Sequence, residues 1–329
     1  MRHWILRTGI LLMLAVAGAS LRAAAPELLK FVPAGTEYLV SVNLERLREV
    51  PGLRAALESN EDVASRLAEF ENTYNLKLED CRQLLFVGGG KRLRGMLVET
   101  GVPEAELEAS LAPLAGNRYS AATAGERKIH YVTADRSVPE DRIKLALCYL
   151  DADSVLATEE PYLAHFLEGL KTDSAIRLAA VEAPAGNPVI WGFLNVRSLT
   201  AGNKRKASLF QVFFRDLRRV VWEIASGGEH GGALTLSATG TCRNEQSAAL
   251  LNASLPGYLA MAANLLFAAE PALGGQVVNS LKSRVDGKKV YAELKLSEEL
   301  TSSIGRYLKR EAERRMMPPD PVPADQRNR

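Results

Sequence analysis

The chain has 329 residues, 47% hydrophobic and 24% charged, a composition typical of a globular protein rather than a disordered chain or a polytopic membrane protein. Its 41 Lys and Arg residues nearly balance 39 Asp and Glu residues, which argues against a nucleic-acid-binding protein, since such proteins usually carry a clearly basic domain. The length is typical of two domains or one large domain.

The first 19 residues have the pattern of a secretory signal peptide. Arg2 and Arg7 precede a short apolar stretch, and Ala17–Ala19 forms an A-x-A cleavage motif. A membrane anchor is less favoured, because a span needs about 20 apolar residues and only fourteen residues separate Arg7 from Arg22. No cysteine lies near the cleavage motif, so a lipid anchor is not expected. We expect a periplasmic or extracellular protein with no transmembrane segment after cleavage.

A repeated unit follows and predicts a duplicated α+β domain. The segments Pro33–Leu47 and Pro184–Leu199 both begin Pro-Ala-Gly, continue as an apolar strand and close on Asn-(Leu/Val)-x-x-Leu. Asn43 and Asn195 lie 152 positions apart, which is too long a period for a solenoid. Each half is expected to be a mainly antiparallel sheet in the order strand–helix–hairpin–helix–hairpin–helix, with helices on one face.

The first half then alternates helical periodicity with strand-like runs that are separated by glycine-rich turns. The predicted elements are helices at Val50–Leu57 and Val63–Tyr74, a hairpin at Leu84–Glu99, a helix at Glu104–Leu114, a hairpin at Ile143–Ala157, and a final helix capped by Thr158.

The second half follows the same order, and its Asp286-Gly287 pair is a strong hairpin signal. The predicted elements are a helix at Ala207–Ile224, a strand at Ala233–Cys242, a helix at Asn244–Ala269, a hairpin at Val277–Leu296, and a final helix capped by Ser297. The resulting domains are a signal peptide at 1–19, a first repeat at 20–175, a second repeat at 176–310, and a disordered Pro-rich tail at 311–329.

Two segments carry a resemblance to known sequences. The opening VPAGTEYLVSVNLERL and the closing KKVYAELKLSEEL resemble uncharacterised secreted bacterial proteins, which begin with a similar strand–helix unit and are often duplicated. The resemblance covers the ends of each half and contains no catalytic motif. It implies export and an α+β duplication, without a function.

The three cysteines are Cys81, Cys148 and Cys242, and their spacing contains no C-x-x-C pair. A zinc knuckle and a thioredoxin-like site are therefore excluded. An oxidising compartment would allow one disulfide, whose pairing the sequence leaves open. Because Cys148 lies in an apolar run where free cysteine behaves as a small hydrophobic residue, three buried thiols are favoured.

Catalytic and cofactor motifs fail at specific positions. Gly88–Lys91 does not form a P-loop, because position 85 is Leu and position 92 is Arg. The sequence contains no H-E-x-x-H, G-x-S-x-G or S-x-x-K motif, so no catalytic residue, metal or cofactor is assigned. His130 and His165 are scattered, and His230 has the better claim to a role because it lies in a glycine-rich loop. The carboxylates at 104, 106 and 108 are expected to straddle a solvated helix face.

One basic group is a candidate interaction patch for an acidic protein or an anionic envelope surface. It lies on and before the predicted helix Ala207–Ile224, opposite several aromatic residues. Its members are Lys204, Arg205, Lys206, Arg215, Arg218 and Arg219. The alternative is that the aromatic residues belong to the core and that the arginines are merely solvated.

The sequence predicts an exported, non-enzymatic binding or scaffolding protein of the cell envelope, of unknown ligand. This prediction rests on the signal-peptide pattern, on the neutral charge of the chain after cleavage, and on the absence of catalytic motifs. The alternative is an envelope-polymer hydrolase that uses carboxylates in a cleft between the two halves, since ligand sites favour domain interfaces.

Overall fold

Twelve strands of the described residues pair antiparallel into one sheet. The computed structural model describes residues 27–33, 35–50, 71, 76–90, 93–114, 118–134, 143–170, 188–196, 216–227 and 232–316. The strands are β1 (Tyr38–Asn43), β2 (Cys81–Gly89), β3 (Leu93–Thr100), β4 (Tyr119–Ala124), β5 (Arg127–Ala134), β6 (Ile143–Tyr149), β7 (Ser154–Glu159), β8 (Ile190–Asn195), β9 (Leu217–Gly227), β10 (Ala233–Cys242), β11 (Leu281–Asp286) and β12 (Lys289–Leu296).

The same parts of the chain contain six α-helices. They are α1 (Leu44–Glu49), α2 (Glu104–Leu111), α3 (Glu160–Gly169), α4 (Glu245–Leu266), α5 (Pro271–Asn279) and α6 (Glu298–Met316). The protein is thus an α+β protein with a large antiparallel sheet. The predicted signal peptide, most of the predicted helices between 50 and 74, and residues 317–329 lie outside the described residues.

The sheet runs without a break through the whole described chain, in the order β11-β12-β10-β9-β8-β1-β2-β3-β7-β6-β5-β4. Its two parts meet where β1 pairs with β8, with Val40 opposite Gly192. Asn43 ends β1 and caps α1, because its side chain accepts a hydrogen bond from the Arg46 amide at 2.9 Å. The predicted strand-to-helix step at Asn43 is therefore confirmed.

Both faces of the first part of the sheet are covered, which corrects the prediction of helices on one face. Leu107 and Leu111 of α2 pack with Leu84 on what we call the helix-rich face, whereas Phe166 of α3 packs with Leu85 on the opposite face. Leu84 and Leu85 are neighbours on β2 and both are buried. A strand that is apolar on both sides needs cover on both sides.

Beyond β8, whose Trp191 is buried on the opposite face, the second part of the sheet is one-sided among the described residues. Ile224 of β9 and Leu236 of β10 pack with Leu259 of α4 and Ile304 of α6 on the helix-rich face. The alternate positions of β10 are Thr and Ser, and Ser237 donates to a carboxylate oxygen of Glu223 at 2.9 Å. This alternation is what an antiparallel sheet with a single apolar face requires.

Three predicted boundaries are wrong. Residues 217–224 of the predicted helix form strand β9, because the alternation of this segment matches the pleat of the sheet better than a helical stripe. The predicted strand at Val277–Val285 begins only at Leu281, since α5 continues to Asn279. Helix α6 reaches Met316, six residues into the range assigned to the tail.

Two caps of the final helices have different outcomes. The Ser297 hydroxyl accepts a hydrogen bond from the Leu300 amide at 3.2 Å, as predicted. Thr158, in contrast, lies within β7 and donates to the carbonyl of Arg94 at 2.5 Å. The cap position of α3 is Glu159, which makes no side-chain cap. The prediction for Thr158 is wrong because its hydroxyl donates to a carbonyl of the neighbouring strand instead of capping the helix.

The three cysteines are free and buried, as predicted. Burial raises the pKa of the Cys81 and Cys148 thiols to about 11 and raises the pKa of Cys242 as well. The reactive species is the thiolate, so at pH 8 we expect little labelling of the folded protein by a thiol reagent. Labelling of three thiols should appear only with unfolding in denaturant. Fast labelling of the native protein would contradict this packing.

Candidate interaction surface

Helix α4 packs one side against the helix-rich face. The Asn244 side chain accepts a hydrogen bond from the Ser247 amide at 2.7 Å and so fixes the start of the helix. Ala248 is buried, and Leu251 and Leu255 pack beside it against the buried strand residues near β9, β10 and β12. Residues spaced by three and four positions share one side of a helix. This side of α4 therefore belongs to the core.

The other side of α4 is apolar and exposed. Relative exposure reaches 62% at Leu250, 38% at Met261 and 77% at Leu265, and Ala253 and Gly257 between them are exposed too. At 100° per residue these five positions fall within an arc of about 120°, which also contains the uncharged polar residues Ser254 and Asn264. We call these five residues the apolar helix face. It contributes three of the five large exposed hydrophobic side chains among the described residues.

The chain segment that carries this face contains almost no charged residues. From Gln246 to Leu281 the only charged residue is Glu270, whose carboxylate forms an ion pair with Arg310 of α6. By length and composition, α4 is the one helix of the described residues that could cross a membrane. Soluble proteins rarely leave a contiguous apolar patch in water without a binding role.

Basic residues gather where the apolar helix face ends. The Tyr307 hydroxyl of α6 donates to the carbonyl of Leu266 at 2.7 Å, which holds α6 beside the end of α4. From Arg306 to Met316, α6 carries five basic residues and two acidic ones. The side chains of Arg310 and Arg314 are 63% and 69% exposed. An apolar surface and a basic helix end are thus adjacent.

A second polar group surrounds His130 of β5, which is fully buried. Its Nδ1 lies 3.0 Å from the Tyr119 hydroxyl, and its Nε2 lies 3.1 Å from a carboxylate oxygen of Glu104. One turn along α2, Glu108 accepts from the Lys128 ammonium at 2.5 Å. This hydrogen bond lowers the pKa of the Glu108 carboxyl. Contrary to the prediction of a purely solvated face, Glu104 and Glu108 both point towards β5.

The His130 group ties β4, β5 and α2 together. The imidazole has no exposed surface, so a substrate in solvent does not reach either nitrogen. A catalytic base, in contrast, needs one nitrogen within hydrogen-bonding reach of the proton that it removes. We therefore interpret His130 as a structural residue. Sequence reasoning missed it, because its partners lie 11 and 26 residues away along the chain.

Replacing His130 by Leu is expected to lower the free energy of unfolding by about 1–3 kcal/mol, because two buried hydrogen bonds are lost. Urea unfolding followed by circular dichroism measures this effect. His165→Leu on α3 is the matched control, since that imidazole is 42% exposed. Equal losses in the two variants would contradict the structural role of His130.

The basic patch predicted from the sequence is only partly described. Lys204, Arg205, Lys206 and Arg215 lie outside the described residues, as does His230. Arg218 and Arg219 lie on β9 rather than on a helix, with a β-bulge at the facing step between Thr241 and Cys242. Arg218 is exposed and Arg219 is partly buried. The role of this patch stays a prediction.

The junction of the two parts bears on the predicted cleft. Backbone pairing of β1 with β8 runs over five residue pairs, from Tyr38 opposite Leu194 to Val42 opposite Ile190. The described residues at this junction therefore form continuous sheet, and the cleft between the two halves stays a prediction. Among the described residues, no group of three or more His, Cys, Asp or Glu side chains is placed to hold a metal ion.

Comparisons with known proteins give little further information. No family model and no curated protein match the sequence. A solved structure of TP0453, in its crystal form I, is similar to 87% of this chain and to 98% of its own chain, with 8% sequence identity and a TM-score of 0.45. A likeness at this level supports no statement about function.

Proposed function

We propose that the protein is an exported, non-enzymatic binding protein of the cell envelope and that the apolar helix face is its binding surface. The observation that carries this proposal is the exposure of Leu250, Met261 and Leu265 on one side of a helix whose one charged residue is Glu245 at its start. Burial of a leucine side chain stabilises a protein by about 1.5–3 kcal/mol. A leucine that stays in water loses a large part of this free energy. A partner that covers these side chains recovers this free energy.

Export is supported by the signal-peptide pattern of residues 1–19. Arg310 of α6 next to the apolar helix face adds a polar rim, which is the usual anatomy of a binding surface: an apolar centre with polar residues around it.

The proposal predicts that the full chain is retained by envelope fractions and that Leu250→Gln with Leu265→Gln releases it. Glutamine keeps helix propensity while removing both apolar side chains. Fractionation of cells followed by immunoblotting measures the retained share. Phe86→Thr on β2 is the matched control, because Phe86 is 42% exposed and far along the sheet from α4. Equal retention of the double variant and the wild type would refute this binding surface.

We also propose that the two parts arose by duplication. Tyr38 and Ile190 are equivalent at the predicted offset of 152, as are Val42 and Leu194. In the sheet Tyr38 pairs with Leu194 and Val42 with Ile190, while Val40 pairs with its own equivalent Gly192. This exchange is what a local two-fold axis between two copies produces.

The strand order supports the same proposal. The first part reads β1-β2-β3-β7-β6 outward from the junction, and the second reads β8-β9-β10-β12-β11. The first part adds β5 and β4, and its closing helix α3 lies on the opposite face from α6, which marks divergence of the copies. Relatives aligned with themselves should show the greatest internal similarity at an offset near 152. No excess at that offset would contradict duplication.

A further inference from the structure

We infer that the occupant of the apolar helix face is the interface of an anionic lipid bilayer, on which α4 lies flat. This inference rests on the proposed function and names the partner of that surface. Three observations carry it: the arc of exposed apolar residues, the nearly uncharged run of chain from Gln246 to Leu281 that contains it, and the basic end of α6 beside it.

The packing of α4 determines how it meets the membrane. Its inner side, with Leu251, Leu255 and Leu259, is held against the sheet, so the helix cannot present an apolar surface on all sides as a spanning helix must. Its outer arc from Leu250 to Leu265 is exposed in the described structure over 16 residues, about 24 Å at 1.5 Å per residue. A helix with one apolar side lies in the plane of the interface with that side in the acyl boundary.

Helix α5 extends the same uncharged surface. Residues Pro271–Asn279 contain no charged side chain, and Ala272 and Gly275 on its outer side are exposed. Phe267, Leu273 and Val277 are buried, which packs α5 onto α4 and α6. The outward side of α5 thus carries small residues and the uncharged polar residues Gln276 and Asn279, and no charge. Small residues let a surface approach the acyl boundary without burying charge.

The basic end of α6 selects an anionic surface. Leu265, the most exposed large side chain of the apolar helix face, immediately precedes the residue whose carbonyl accepts from Tyr307. Arg310 and Arg314 lie one and two turns beyond Tyr307 on α6 and form ion pairs with Glu270 and Glu311. With Leu265 in the acyl boundary, these exposed guanidinium groups reach the headgroup layer, where they exchange a carboxylate partner for phosphate oxygens held in a bidentate manner. A protein partner would need an acidic rim around an apolar groove to match the same surface.

The test is sedimentation of the purified full chain with vesicles of phosphatidylcholine alone and of phosphatidylcholine with phosphatidylglycerol. We expect binding to the anionic vesicles that falls as salt rises. Leu250→Gln with Leu265→Gln should weaken binding about a hundredfold, from the apolar area withdrawn. Arg310→Gln with Arg314→Gln should weaken binding to anionic vesicles by about tenfold or more. The control pair Lys77→Gln with Arg82→Gln removes equal charge next to β2 and should bind as the wild type does.

The outcomes separate this inference from the proposed function. Retention by envelope fractions without binding to either vesicle overturns the lipid inference and leaves a protein or polymer partner on the same surface. Loss of binding in the control pair equal to that of Arg310→Gln with Arg314→Gln overturns the assigned role of α6. Absence of both envelope retention and vesicle binding overturns the inference and the proposed function together. Circular dichroism of every variant confirms that the fold is kept.

Discussion

Replacement of Phe166 by Ala is expected to lower the free energy of unfolding by about 3–5 kcal/mol, among the largest effects of a single substitution in this protein. The Phe166 side chain of α3 is fully buried. Its ring occupies the space over Gly95 of β3, where a Cβ would lie 2.7 Å from Cε2 of the ring. Leu156 of β7 borders the same space. Alanine leaves a cavity that this rigid strand pair cannot close.

Urea unfolding, followed by far-ultraviolet circular dichroism, measures the loss for Phe166→Ala. Glu168→Ala is the matched control on the same helix, because the Glu168 side chain is 72% exposed and its loss is expected to cost about 0.5 kcal/mol or less. A loss below about 1 kcal/mol for Phe166→Ala would show that α3 does not cover the opposite face of the sheet as described.

Replacement of Gly192 by Val is expected to lower the free energy of unfolding by about 2–3 kcal/mol through overpacking. The Trp222 indole of β9 lies over Gly192 of β8, and a Cβ there would lie 2.5 Å from Cε2 of the ring. Because Gly192 also pairs with Val40 across the junction, a displaced β8 disturbs both parts of the sheet. The strand preference of valine offsets only a small part of this loss.

A double-mutant cycle isolates the contact between Gly192 and Trp222. Trp222→Ala removes the ring, so Gly192→Val should cost much less in that background than in the wild type, with a coupling of about 1 kcal/mol or more. Equilibrium unfolding of the four proteins gives the coupling. Additive losses would contradict close packing of the indole over residue 192.

Local signals in the sequence sufficed for much of the fold. Gly287 and Lys288 form the β11–β12 turn directly after Asp286, with Gly287 at a φ of +53°, and Asn244 caps α4 as its position before an apolar run indicated. These signals act over a few residues, so they are readable without the rest of the chain. The same holds for Gly90, which follows β2 with a φ of +54°.

Strand β9 was misread because its apolar residues satisfy two periods at once. Val220 and Ile224 are four positions apart, which suits a helix, while Val220, Trp222 and Ile224 also alternate, which suits a strand. Pairing with β8 and β10 on both sides decides between them. That pairing is set by residues far along the chain, so tertiary structure overrides the local pattern.

The apolar helix face could not be predicted from the sequence for a related reason. The sequence predicts a helix at Asn244–Ala269 but does not indicate which of its sides is covered. Only the sheet determines that Leu251 and Leu255 face inward and that Leu250 and Leu265 face outward. The signal that could have indicated this surface is the uncharged run from Gln246 to Ala269. A helix with one buried apolar stripe usually carries charged or polar residues on its other side.

The most direct test of the binding surface places an environment-sensitive fluorophore on it. Ala253→Cys adds a labelling site between Leu250 and Gly257 without removing a large side chain, and the three native thiols are buried. The control is Ser120→Cys on the exposed edge strand β4. We predict a blue shift and increased emission at position 253, and none at position 120, when envelope fractions are added to the full chain. No shift at 253, or equal shifts at both positions, would contradict binding through the apolar helix face.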